Sequence, residues 1–388
     1  MKIVMLLDNP YSDDQRVIRE AETLVKDGHE VKVYCLHEDD FLINETINGV
    51  VIKRIFDLQI FGIKNRRYLN KQAELIAETE FDVIHAHDFN MIRMAARIKK
   101  LKQNIRLIYD SHELFHEWEM NMAKSDWWLK LKSTIVRSVE VMFEKHNGKL
   151  VDEIITVNDS IAARLKKYFS FGKEILVLRN IPPRMIPLAK SNYLREHFKI
   201  SADKKIIVFF GTNVFIKTIN LEMALQQLCR RKDVAVVIFC KQNEHQQAVA
   251  DFVENQKLQD VYFHPFIPFN KSNEILSGAD VGLVPSWNKS KMSYWLGFDS
   301  KFMDYMMAEI PVLATCQPEY EKMVNQYQLG ICVNPDKENA FSKGFEQLIN
   351  NYNYYKEANK KARESLNWEN ESKKLTDFYR NLHSVNLK

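Results

Sequence analysis

Glycine is scarce in this chain, 11 in 388 residues, and no two glycines are separated by a single residue. That spacing excludes the dinucleotide-binding loop GxGxxG, and the phosphate loop GxxxxGK[ST] is missing as well. Both absences argue against a conventional nicotinamide dehydrogenase or P-loop ATPase. Proline is also low, at 10, so collagen-like, linker-like and low-complexity chains are out. None of the five cysteines, Cys35, Cys229, Cys240, Cys316 and Cys332, forms a CxxC pair. They read as buried free thiols of a reducing compartment, which points to the cytoplasm. The longest apolar runs, such as Ile206–Phe210, have strand length, far short of the roughly 18 residues of a membrane span. Met1–Asp8 has too short an apolar run, and no small-residue cleavage site, for a secretory signal. Neither charge sign dominates: 55 basic residues stand against 51 acidic ones, which leaves no overall footprint for nucleic acid.

What is present is enough apolar material for two cores, 46% of residues. Short runs rich in Val, Ile and Leu predict strands at Lys2–Leu7, His29–Leu36, Phe81–His87, Arg106–Asp110, Glu153–Val157 and Ile175–Leu178. Amphipathic stretches such as Asp14–Lys26 and Asn90–Lys102 have helical spacing and lie between several of them. Continuous apolar strands alternating with helices make a βαβ pattern with a parallel sheet. The rhythm breaks at Arg179-Asn180-Ile181-Pro182-Pro183 and at Pro187. It restarts at Lys205–Gly211, followed by strand-like runs at Ala235–Cys240, Val261–Phe266, Val281–Pro285, Val312–Cys316 and Ile331–Val333. The expectation is an α/β protein of two Rossmann-like, doubly wound domains facing each other across a cleft. Its ligands should bind at the carboxyl ends of strands. The domains expected are residues 1–183 and 190–365, with a terminal helix, 368–386, packing back on the first.

Two motifs look like metal sites. His112-Glu113-Leu114-Phe115-His116 matches HExxH, which on a helix places two imidazoles on one face for zinc. Here it follows a strand directly and has no HxxGxxH extension, although a distant Glu140 or Glu144 could act as a third ligand. A zinc hydrolase is therefore the rival from another reaction class. In His85-Ala86-His87, residues i and i+2 share one strand face. As a pair without further ligands they read as a strand end beside a binding cleft, and no metal is assigned.

Several segments together resemble the retaining glycosyltransferases of family 4, which have the GT-B fold. The likeness runs nearly end to end. Asp14-Gln15-Arg16-Val17, Gly28-His29-Glu30-Val31 and Asp82-Val83-Ile84-His85-Ala86-His87-Asp88 resemble the family's opening helix, second strand and DVIHAHD strand. Tyr109-Asp110-Ser111-His112-Glu113 resembles its DxHE strand end. In the second half, Phe210-Gly211 followed by Lys217 resembles the phosphate loop, with Thr212 where an arginine is usual. Phe263–Pro268 occupies the place of the loop framing the donor base, and Ala279–Ser286 resembles the ADV-LLPS strand. The paired-glutamate signature falls on Leu296–Asp304, with Leu296 for the first Glu and Asp304 for the second. Ser300-Lys301-Phe302-Met303-Asp304-Tyr305 resembles the NKxxEY variant, and Glu309 stands at a usual glycine.

The resemblance implies transfer of a hexose-type sugar from a nucleotide-diphosphate donor to a glycan or lipid-linked acceptor, without a cofactor or metal. It implies donor contacts from Gly211, Lys217, Phe266, Ile267, Gly297, Phe298, Ser300, Lys301 and Asp304. Lys217 and Lys301 would neutralise the diphosphate, and Asp304 would hold the ribose hydroxyls. His112 would touch the donor sugar near the reacting carbon. Asp14, Arg16, His87 and Glu113 would lie on the acceptor side. Within the fold the rivals are a nucleotide-sugar epimerase and a non-catalytic binding homologue, the latter motivated by Leu296. Two basic clusters, Lys64–Lys71 and Arg93–Arg106, join an aromatic-basic stretch from Trp118 to Lys132. No acid lies between Phe89 and Tyr109. Such interleaving suits peripheral contact with the inner face of a membrane, and a solvated helix face is the alternative.

Overall fold

A computed structural model describes residues 1–12, 14–58, 65–117, 127–185, 190–211, 214, 220–267 and 269–385; at 127–133, 269–271 and 383–385 only the backbone is described. The chain divides into two compact units, Met1–Asn180 with Glu371–Lys388, and Ile181–Asn370. Ile181 already packs in the core of the second unit. The last helix, Trp368–Val385, begins in the second unit and passes into the first at Glu371.

The first unit holds one sheet of eight strands: β1 (Lys2–Leu6), β2 (Glu30–Leu36), β3 (Asn44–Ile47), β4 (Val50–Phe56), β5 (Val83–His87), β6 (Arg106–Ser111), β7 (Glu153–Thr156) and β8 (Leu176–Val177). Their order is β3-β4-β2-β1-β5-β6-β7-β8. All neighbours run parallel except β3 and β4. The strand order reverses between β1 and β5, the switch point at which open α/β sheets bind ligands. The β3–β4 hairpin is absent from the sequence reading. Asn48-Gly49 closes it in two residues, both with positive φ, 50° and 84°, which is the Asn-Gly turn that matches strand twist.

Local chemistry explains the elements around the switch point. β1 and β5 are almost wholly buried, as expected of strands covered on both faces. Asp14 caps helix Gln15–Lys26 by accepting Val17 N–H at 3.1 Å. Helices Arg66–Ala77 and Asp88–Leu101 bury Leu69, Ala73 and Ile76, and Met91, Met94 and Ile98, in one core with Val4, Leu6, Ile84 and Leu107.

The second unit holds six parallel strands: β9 (Lys205–Phe210), β10 (Val234–Cys240), β11 (Val261–Pro265), β12 (Val281–Val284), β13 (Val312–Thr315) and β14 (Gly330–Val333). Their order is β11-β10-β9-β12-β13-β14, reversing between β9 and β12. Apolar clusters cover both faces of this sheet. Gly282 in β12 is a close-approach position: a Cβ there would come within 2.3 Å of the Tyr305 ring. The five cysteines are free thiols. Among the described residues no helix is long and apolar enough to cross a membrane.

Candidate active site

The first half-site lies at the carboxyl ends of β5 and β6. Register pairs His87 with Asp110, so the residues just beyond, Asp88 and His112, are brought side by side. Asp88 has a left-handed backbone, φ 59°. Its Oδ1 accepts the His112 backbone N–H at 2.9 Å, and its Oδ2 lies 2.9 Å from His112 Nδ1. Arg16 Nε donates to His112 Nε2 at 3.1 Å, and Asp110 Oδ2 is 3.5 Å from the same nitrogen. Both ring nitrogens of His112 are thus held by protein groups. Burial disfavours the charged ring, but the carboxylates of Asp88 and Asp110 overcome it and hold the His112 pKa well above the ordinary imidazole value.

Beneath His112 sits a closed ionic network. Arg16 binds both oxygens of Asp110, at 3.1 and 2.9 Å, and Glu20 at 3.0 Å, and donates to the carbonyl of Leu178 at 2.8 Å. Burial pushes the Asp110 carboxyl upward; Arg16 and then His112 outweigh it, leaving the pKa well below the usual carboxylate range. Glu20 is driven the other way, since burial exceeds the pull of Arg16. His85 and His87 stack at 4.3 Å, and burial lowers both pKa values. Glu20, His85, His87 and Asp110 each place one metal-type donor atom within 4.8 Å of the others. Arg16 already supplies the positive charge to both carboxylates, so the set is internally compensated.

This arrangement places two of the residues expected on the acceptor side, Arg16 and His87, within the buried network of the first unit. Both are buried, at 4% and 3% exposure, Arg16 in its ion pairs and His87 against the ring of His85. Asp14 is committed as well, its Oδ1 to the helix cap and its Oδ2 to Asn9 Nδ2 at 2.9 Å. Glu113 is exposed. The HExxH motif, the basis of the rival zinc reading, is not α-helical. His112 follows a strand end, and His116 lies in the short 3-10 turn Phe115–Glu117, so the helical face that the motif needs does not form. His116 instead stacks on Tyr168 at 3.6 Å.

The second half-site lies at the carboxyl ends of β9 and β12. Helix Lys301–Met307 is locked to β9 through Tyr305, whose hydroxyl accepts Phe210 N–H at 2.8 Å and donates to the Val208 carbonyl at 3.1 Å. This bond fixes Phe210, the residue before Gly211, against the helix that carries Asp304. Lys301 Nζ donates to Asp299 Oδ2 at 2.7 Å, and Ser286 Oγ donates to the same oxygen at 2.8 Å. Burial acts upward on the Asp299 pKa; Lys301 outweighs it, for a net lowering. Asp299 is the residue here that sequence reasoning passed over, although it lies within the Gly297–Ser300 loop. Ser300 is exposed and Gly297 and Asp304 are half-buried. Phe298 packs against Phe302 and Tyr320, at 5.1 and 5.5 Å, while Phe266 stacks on Phe210 at 5.3 Å beside buried Ile267. Leu296, 9% exposed, is a packing residue. Lys217, Thr212, Pro268, Lys64 and Trp118 lie outside the described residues.

The basic cluster Arg93–Arg106 is largely internal in its pairing. Arg97 faces Glu74 at 3.7 Å, Lys99 pairs with Asp152, Lys102 faces Glu80 at 3.6 Å, and Arg106 faces Asp152 at 4.0 Å. Arg66, Arg67 and Lys71 are exposed.

Residues 15–180 match the family model described as Glycosyltransferase Family 4, and residues 204–351 match the one described as Glycosyl transferases group 1. No curated protein matches the sequence. Among solved structures, a sucrose-phosphate synthase from Thermosynechococcus elongatus superposes with a TM-score of 0.78 at 16% identity, covering 99% of this chain and 100% of that one. The Anabaena protein HepE in complex with UDP gives 0.73 at 10% identity, covering 99% and 100%. A glycosyltransferase from Rickettsia africae gives 0.71 at 14% identity, covering 100% and 98%. With a glycosyltransferase domain in each half and GT-B neighbours over its whole length, the chain is a glycosyltransferase of the GT-B fold.

Proposed function

We propose that the chain moves a hexose-type sugar, with retention at the anomeric carbon, from a nucleotide-diphosphate sugar to a glycan or lipid-linked acceptor, in cell-surface polysaccharide synthesis. The carrying observation is that both halves match glycosyltransferase domains, with His112 at the strand ends of one and the Gly297–Asp304 segment at those of the other. HepE structures are described with UDP, with UDP and glucose, and with UDP-glucose, so UDP-glucose is the first donor to try. In this reading Lys301 and Lys217 neutralise the departing diphosphate, and Asp304 receives the ribose hydroxyls. Lys301 is now paired with Asp299, so the diphosphate competes with that carboxylate for the ammonium. His112 meets the donor sugar from its Asp88 side, where the Asp88 carboxylate is 39% exposed. Exposed Arg66, Arg67 and Lys71 supply the basic face for peripheral contact with an anionic membrane.

The test is calorimetric titration with UDP and UDP-glucose, followed by an assay of donor hydrolysis and transfer, with the product anomer read by NMR. Lys301→Ala and Lys217→Ala should each weaken nucleotide binding by about 1.5–3 kcal/mol. His112→Ala should lower turnover at least as strongly as affinity. An inverted product would end the retaining assignment. Nucleotide binding without hydrolysis or transfer would favour the second reading, a non-catalytic homologue, for which Leu296 in place of a hydrogen-bonding glutamate is the motive.

A further inference from the structure

We propose that Asp88 is the positioning residue of His112, fixing the plane of the ring and keeping a proton on Nδ1. The inference rests on the reading of His112 as a working group but is built from different atoms. A carboxylate cannot donate a hydrogen bond, so the 2.9 Å contact between Asp88 Oδ2 and His112 Nδ1 places the proton on Nδ1. The other carboxylate oxygen accepts the backbone N–H of the same residue at 2.9 Å. One side chain therefore clamps His112 at two points, main chain and ring, which sets the ring's position and not only its charge.

The backbone of Asp88 is arranged for this grip. It opens helix Asp88–Leu101 directly after β5, in a left-handed conformation, φ 59°. Such a conformation disfavours most non-glycine residues by about 1–2 kcal/mol and is best tolerated by Asn and Asp. It turns the carboxylate across to the end of the neighbouring strand β6, where His112 follows Ser111. A residue in ordinary helical geometry would not be aimed there by the strand register alone.

Fixing Nδ1–H leaves Nε2 between a donor and an acceptor. Arg16 Nε lies 3.1 Å away and Asp110 Oδ2 3.5 Å away. The neutral ring accepts from Arg16, and the protonated ring donates to Asp110, so the ring can change charge without turning. The groups facing His112 come from four elements: Asp88, Asp110, Arg16 and the ring of His87, 5.7 Å off. Asp8 and Glu20 act on it at longer range. Among these, Asp88 has the more exposed side chain of the two carboxylates in contact with the ring, 39% against 0% for Asp110. It is thus the one an arriving substrate can address.

The experiment is NMR of imidazole nitrogens in the whole chain, with His112 signals identified by their loss in His112→Gln. In the native protein His112 should show the Nδ1–H form when neutral. In Asp88→Asn the midpoint of its titration should fall by about one pH unit or more, and Asp88→Glu should restore part of that fall. The pH limb of the transfer rate set by His112 should move by the same amount. An unchanged midpoint and tautomer in folded Asp88→Asn, with Asp88→Ser agreeing, overturns the proposal. If the titration moves and the rate profile does not, Asp88 still positions His112 and it is the catalytic reading of His112 that fails.

Discussion

The hydroxyl of Tyr379 lies 2.9 Å from Nδ1 of His85, joining residues 294 positions apart in a fully buried contact. Tyr379 belongs to the terminal helix Trp368–Val385, and His85 to β5 under the first half-site. The bond holds one nitrogen of His85 while the other faces Asp110 at 3.7 Å. It also ties the end of the chain to the network that carries His112.

Tyr379→Phe should therefore destabilise the first unit by about 1–3 kcal/mol, the cost of an unmatched buried polar atom. Chemical denaturation read by tryptophan fluorescence or circular dichroism measures it. A midpoint equal to that of the native chain would mean that His85 finds another partner.

Glu144 gives a pH test of the same unit. It is fully buried, accepts the Tyr109 hydroxyl at 3.0 Å, and burial pushes its pKa from 4.5 up to about 7. Between pH 4.5 and 7 the unfolded chain releases this proton while the folded chain keeps it. Stability contributed by Glu144 should thus fall as pH rises through that window, by up to about 3 kcal/mol, and stay flat above it. His116, lowered from 6.5 to about 4 chiefly by burial, acts oppositely and costs stability as pH drops from 6.5 toward 4. Glu144→Gln should abolish the first slope and leave the second. Urea midpoints at pH 5, 6 and 8 would reveal this, and parallel curves for variant and native protein would refute it.

Gly282→Ala should cost about 1–3 kcal/mol by overpacking, because the new methyl group meets the Tyr305 ring at 2.3 Å. Displacing that ring also loosens its grip on Phe210 and Val208. A fall in melting temperature together with weaker nucleotide binding is expected. A fall in stability alone would show that β9 keeps its place without Tyr305.

Glu309 takes a left-handed backbone, φ 59°, at a position where glycine is conformationally easier. Its carboxylate pairs at 2.8 Å with Arg363, which is 3% exposed. Glu309→Gly relieves about 1 kcal/mol of backbone strain but strips a buried guanidinium of a charged partner, which costs about 1.5–3 kcal/mol. Net destabilisation is expected from the single change, and recovery when Arg363→Met is added. A stabilised single variant would show that the ion pair contributes less than the strain.

The parallel strands were legible because burial on both faces writes an unbroken apolar run; β1, β5, β9 and β12 are all of that kind. The β3–β4 hairpin escaped because its strands alternate at an exposed sheet edge, although Asn48-Gly49 was the signal that would have found it. At the site, His112 and the Gly297–Asp304 segment were visible as motifs. The inward turn of Arg16 was not, since its partners Asp110 and Leu178 stand 94 and 162 residues away. The pairing of the acid-free stretch from Phe89 to Tyr109 was hidden for the same reason. Its cations meet Glu74, Glu80 and Asp152, acids from neighbouring elements that linear spacing cannot reveal.

The first unit is assembled from two separated lengths of chain, Met1–Asn180 and Glu371–Lys388, with the whole second unit spelled out between them. During synthesis at about 5–20 residues per second, residues 181–370 can emerge and fold before Tyr379 exists. The β5 network must wait through that interval with His85 lacking its hydroxyl partner. The earlier-made half is thus the later one to be completed.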